Sequence, residues 1–277
     1  MSRRATILTV AASSALTAVV LRRGRRPAAQ VTWAPSTGKP SPGPLAGRIV
    51  GEGPLTVLLV HGMFNASSYW GAAYDRLTQN PTPGRLLAVD LAGFGRSMDV
   101  ESRYDPDAQA DAIAATLLAA GADRPVAVGA HSIGTVVAVA LAARHPHLVA
   151  GIAAFSPPWY ENRASARAHL ASTDPLARLL LSDTDLARRA CELMCRHRRA
   201  ATVLIRLARP NLPHLLAADR VRHTWTSYAE SLRQLVLAGH APGQLDRLTY
   251  PSTSSSATTT RPSTHPFSTR SPNATRT

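Results

Sequence analysis

The residue best placed to do chemistry in this chain is a serine between a short β-branched run and an amphipathic helical pattern. In Val126-Ala-Val-Gly-Ala-His-Ser-Ile-Gly-Thr135, the run holding Val126 and Val128 ends in small residues. Apolar positions then recur at Ile133, Val136, Val137, Ala140 and Leu141, the spacing of one helix face. A strand that turns straight into a helix leaves one residue at the apex in a strained backbone conformation. Strand and helix pass close together there, so the residues two positions away on each side must be small. Ala130 and Gly134 meet that demand and leave Ser132 at the apex. Its hydroxyl then points outward, where it can attack a carbonyl carbon. A serine alone attacks poorly: a histidine must take its proton, and an acid must orient that histidine.

The stretch resembles the nucleophile elbow of the α/β-hydrolases, G-x-S-x-G, with Ala130 in the first glycine's place. Two further segments resemble the same family, in order, over residues 47–160. His61-Gly62-Met63-Phe64 resembles the family's oxyanion loop. The resemblance implies two backbone donors for the negative oxygen of a tetrahedral intermediate, the N–H of Met63 and that of Ile133. Losing one such donor typically costs about 3–4 kcal/mol of barrier. Asp90-Leu-Ala-Gly-Phe-Gly-Arg-Ser97 resembles the D-x-x-G-x-G-x-S turn, whose glycines allow a tight loop beside the site, and its role is structural. His131 adjoins the nucleophile, but on a strained elbow its side chain faces away from Ser132, so packing is expected of it. The family likeness implies hydrolysis of a small, largely apolar ester, amide or related acyl substrate, with no cofactor and no metal. The alternative from another class is a non-catalytic hydrolase-fold protein that binds a ligand or acts as a membrane-associated interaction partner.

The pattern departs from the family where the base and acid belong. In the family they follow the cap in the order Ser, Asp or Glu, then His. No acidic residue follows Asp246, and the only histidine after His240 is His265, inside a Ser/Thr/Pro tail. Glu161 is a candidate displaced acid, although a charged residue opening a helix is ordinarily solvated. His169, His214, His223 and His240 are read as surface or packing residues. Cys191 and Cys195 stand four apart with His197 nearby. They lack a second ligand cluster, so they are read as buried hydrophobes or surface thiols.

The elements that must position these residues alternate. Thr56–Val60 and Arg85–Asp90 read as buried strands, and the elbow strand and residues 151–155 follow. A helix is expected from about Ser67 to Gln79. A second has Asp105 as N-cap, Pro106 in its first turn and Gly121 as its stop; Ala110, Ile113, Ala114 and Leu117 form its buried face. The fold class is α/β: a mostly parallel, doubly wound sheet of the α/β-hydrolase type with a helical cap insertion, the last strands apparently missing. The core spans 47–160 and the cap 161–240, with clear helices at Asp183–Arg199 and Asp219–Leu237. Residues 241–250 would begin a C-terminal core.

The ends differ from this middle. Residues 5–21 are uncharged between Arg3-Arg4 and four Arg at 22–26, which predicts an N-terminal membrane anchor (1–26) with the catalytic domain in the cytoplasm. A secretory signal, hence a secreted product, is the alternative. Residues 27–46 read as a Pro/Gly/Ser-rich linker. The last 27 residues, 251–277, hold 15 Ser or Thr, a composition that predicts disorder. Their abrupt onset at Pro251 also suggests a reading-frame shift. Nine of the +14 formal charges lie in the two terminal segments 1–26 and 251–277, which leaves no basic stripe to bind nucleic acid.

Overall fold

The computed structural model describes residues 33–79, 83–173 and 185–238. Six strands form one sheet: β1 (Lys39–Pro40), β2 (Gly47–Val50), β3 (Leu55–Val60), β4 (Arg85–Val89), β5 (Val126–His131) and β6 (Val149–Phe155). Their order is β1-β2-β4-β3-β5-β6. β1 and β2 pair antiparallel, and β2 pairs antiparallel with β4. From β4 to β6 all pairing is parallel. Parallel strands must be covered on both faces, and the apolar runs seen in the sequence follow from that. Leu58, Val60, Leu87, Val89 and Val128 face a core shared with helices α1 (Pro106–Ala119) and α2 (Ile133–Arg144). Leu59, Leu86 and Ala88 face the other side, against Trp70, Tyr69, Tyr74 and Leu77.

Helix α1 forms as its sequence signals dictate. Asp105 accepts a hydrogen bond from the N–H of Ala108 at 2.7 Å, Pro106 opens the helix, and Gly121 leaves it with φ of 78°. The expected helix at Ser67–Gln79 is instead two 3₁₀ segments, Ser67–Tyr69 and Ala72–Gln79. The break falls at Gly71, where a Cβ would lie 2.5 Å from the carbonyl oxygen of Ala34, and Ala72 N–H bonds that same oxygen at 2.8 Å. Residues 33–46, read as linker, are packed against the core. Leu45 is fully buried, its N–H bonds Thr116 Oγ1 at 3.2 Å, and Ala46 N–H bonds Ser97 Oγ at 2.8 Å.

The cap comprises α3 (Arg163–Thr173), α4 (Asp185–Arg196), α5 (Arg198–Ala208), α6 (His214–Asp219) and α7 (Trp225–Ser231), the last continuing as a π turn, Leu232–Val236. The expected helix from Asp219 to Leu237 therefore begins only at Trp225. Before it, Arg222 C=O accepts from Gly95 N–H at 2.9 Å and His223 forms a β-bridge with Phe94. Thr224 and Ser227 then start α7 with a reciprocal capping box.

Among the described residues no helix is long and apolar enough to cross a membrane. The longest, α1, has 14 residues where a span needs about 20. The expected transmembrane helix and membrane-anchored placement are corrected accordingly: no described helix supplies the span. That reading rested on residues 5–21, which lie outside the described residues, as do Asp246 and segments 241–250 and 251–277.

Candidate active site

Ser132 occupies the junction of β5 and α2 with φ 51° and ψ −124°, a region that L-residues rarely enter. Its N–H is held by the carbonyl of Phe155 on β6 at 2.9 Å. The small neighbours are required by backbone, not by side chains. A Cβ on Gly134 would stand 2.6 Å and 2.7 Å from the carbonyl oxygens of His61 and Val60. Ala130, fully buried, fills the equivalent place before the apex. The loop after β3 reaches the serine directly: a Cβ on Gly62 would lie 2.9 Å from Ser132 Cβ. Met63 follows on that loop, and Ile133 is the first helical residue of α2. An N–H at that helical position has no intrahelical acceptor and is open to a ligand oxygen.

Two buried groups hold the loops around the serine. His61 Nδ1 donates to the carbonyl of Gly62 at 2.7 Å, and Nε2 accepts from Leu91 N–H at 3.0 Å, which fixes a neutral tautomer. Asp90 accepts from Ser67 N–H at 2.6 Å and Arg96 N–H at 2.9 Å. The Asp90–Ser97 turn is thus scaffold. Gly93 and Gly95 in it have φ of 85° and 58°, and the carbonyl of Gly93 accepts from Ser227 Oγ of the cap at 2.9 Å.

His131 turns from the serine and stacks on Tyr69, ring centroids 4.8 Å apart. Burial pushes both His61 and His131 below the ordinary histidine value of 6.5. The unfolded chain therefore binds more protons than the native one between those lowered values and 6.5. Stability is complete above that pH and falls as the solution is acidified through it. Thermal melts across about pH 5 to 8 should show the midpoint dropping on the acid side. A midpoint that rises there would contradict the neutral burial of both rings.

The other candidates are not drawn to Ser132. Among the described residues, no histidine or carboxylate is hydrogen-bonded to its Oγ. Glu161 and His214 are exposed, and His169 is exposed beside Tyr160. His240 and His265 lie outside the described residues. His223 is buried in the cap, with its ring 5.3 Å from Phe64 and its Nε2 3.5 Å from Cys191 Sγ. No signal in the sequence joined it to the cysteines. The same holds for Asp219, a buried carboxyl pushed up by desolvation, which accepts a hydrogen bond from Ser68 Oγ and ties the cap to the first 3₁₀ segment. A cleft of about 740 Å³ between Thr37–Pro40, Ile49–Gly53 and Arg85 lies at the other end of the parallel strands from Ser132.

A hydrolase-type sheet, a strained serine at the β5–α2 turn and a His-Gly loop against it define a class, and residues 57–270 match the model of the alpha/beta hydrolase family. The chain belongs to that family. The match runs past Pro251, where family-like sequence was expected to stop. Over 194 residues the chain is 27% identical to the probable lysophospholipase BODYGUARD 4 of Arabidopsis thaliana, covering 66% of this chain and 46% of that protein. Over 106 residues it is 33% identical to BODYGUARD 3 of the same plant, covering 38% of this chain and 21% of the relative. The chain thus spans less than half the length of these curated relatives. Epoxide hydrolase VrEH1 from Vigna radiata has a similar fold, with TM-score 0.53, 18% identity and 72% of each chain covered.

Proposed function

We propose that the protein is a serine-nucleophile hydrolase of a small, largely apolar acyl compound, with Ser132 as nucleophile and the N–H groups of Met63 and Ile133 as the oxyanion hole. The observation that carries this reading is the backbone of Ser132, which is strained at a strand-to-helix turn with Gly62 pressed against its Cβ. Strain of that kind costs about 1–3 kcal/mol and persists where it holds a reactive group in place. The carbonyl carbon of the substrate is attacked by Oγ, whose proton leaves to water, and the carbonyl oxygen becomes an oxyanion between the two donors. Collapse breaks the bond to the alcohol or amine, which leaves with a proton returned from water, and the resulting acyl-serine is cleaved by a second water to the free acid and serine. Probable lysophospholipases among the relatives support an acyl ester of an amphiphile as the substrate class.

A second reading, ligand binding without turnover, is favoured by one observation: the described residues provide no base or acid bonded to Ser132. Wild-type protein incubated with short-chain p-nitrophenyl esters and with a fluorophosphonate probe separates the two. Turnover with covalent labelling supports the hydrolase; reversible binding of esters with neither turnover nor labelling supports the binder.

A further inference from the structure

Three side chains of the cap converge on one point. Cys191 and Cys195 lie one turn apart on α4, and His223 approaches from the extended segment between α6 and α7. The two sulfurs are 3.9 Å apart and Cys191 Sγ is 3.5 Å from His223 Nε2, with all three ligand-type atoms within 4.8 Å of one another. They are 0%, 7% and 1% exposed.

The two contacts of Cys191 match a tetrahedral cation, and Cys195 and His223 lie close enough to complete it with a small inward shift. With Zn–S about 2.3 Å and Zn–N about 2.0–2.1 Å, neighbouring sulfurs stand about 3.8 Å apart, and sulfur and nitrogen about 3.6 Å. The alternative, two thiols packed as small hydrophobes, leaves the imidazole unexplained. Its Nε2, the nitrogen that faces the pair, has only the Cys191 sulfur beside it. A buried imidazole is ordinarily satisfied by better acceptors and donors than this.

We propose that Cys191, Cys195 and His223 form a zinc site, with water completing a four-coordinate shell. Two thiolates and a neutral imidazole balance the charge of a divalent ion, so the filled site carries no net charge into the interior. A monovalent soft ion would leave one negative charge buried, which favours zinc. Each thiol releases its proton to solvent on binding, so affinity falls at acid pH. The site joins α4 to the segment bridged to Phe94, and Phe64 of the oxyanion loop lies against both His223 and Tyr228. Zinc would thereby staple the cap to the core beside the candidate active site.

These are the only two cysteines in the chain, so any thiolate–metal signal reports on this pair. The full chain, kept reduced and stripped with a chelator, is titrated with Co(II). The expected result is a thiolate-to-cobalt charge-transfer band and the d–d bands of a tetrahedral site, saturating near one equivalent and bleached by zinc. Cys191→Ser with Cys195→Ser should abolish the band, and His223→Gln should weaken binding by more than about tenfold. Wild-type protein that gives no charge-transfer band overturns the proposal without recourse to any variant. An unchanged tetrahedral d–d spectrum and affinity in His223→Gln would also overturn it.

Discussion

Replacing Ser132 by alanine should abolish fluorophosphonate labelling and lower ester turnover by a factor of roughly 10⁴–10⁶. Without Oγ no acyl-serine forms, and what remains is the rate contributed by the oxyanion donors and by binding. The fold should be unaffected: the side chain is half-buried, and alanine meets the same backbone strain as serine at φ 51°. A wild-type melting curve with no labelling would therefore isolate the chemistry. Ser132→Gly should be equally inactive yet more stable, because glycine enters that backbone region freely. Labelling retained in Ser132→Ala would mean that the nucleophile lies elsewhere.

Gly134→Ala is expected to be strongly damaging. The added Cβ would stand 2.6 Å and 2.7 Å from two carbonyl oxygens of the β3 end, and backbone cannot step aside as a flexible side chain can. A cost above about 3 kcal/mol is expected, at the upper end for overpacking. That corresponds to a fall of about 6–12 °C in melting temperature. Labelling should fail as well, since the shift moves α2 away from the oxyanion loop. Gly151→Ala is the matched control: a Cβ there meets nothing within 4 Å, so its effect should stay within about 0.5 kcal/mol. Equal melting temperatures for the two variants would refute the close crossing of β3 and α2.

What the residues reveal and what packing decides divide along the range of the forces involved. The elbow, α1 and the parallel strands β3 to β6 were legible because their signals are local. A β-branched run, an Asp-Pro start, a glycine stop and small residues around a serine each act within a few positions. The proposed nucleophile and the two expected oxyanion residues, Met63 and Ile133, could be named for the same reason. The strain at Ser132 then appeared where the small neighbours implied it.

Other features rest on contacts that no local pattern encodes. Apolar spacing alone favoured one helix over Ser67–Gln79, but Gly71 must pass against Ala34, and that approach leaves two 3₁₀ segments. The run from Asp219 to Leu237 keeps helical periodicity throughout. Pairing of Arg222 and His223 with Gly95 and Phe94 holds its first residues extended and delays the helix to Trp225. Proline and glycine made residues 33–46 look like linker, yet Leu45 is buried in the core. The meeting of His223 with Cys191 and Cys195 was the least visible. Helix periodicity places the two cysteines on one face, but only the fold of the cap brings a distant imidazole against them.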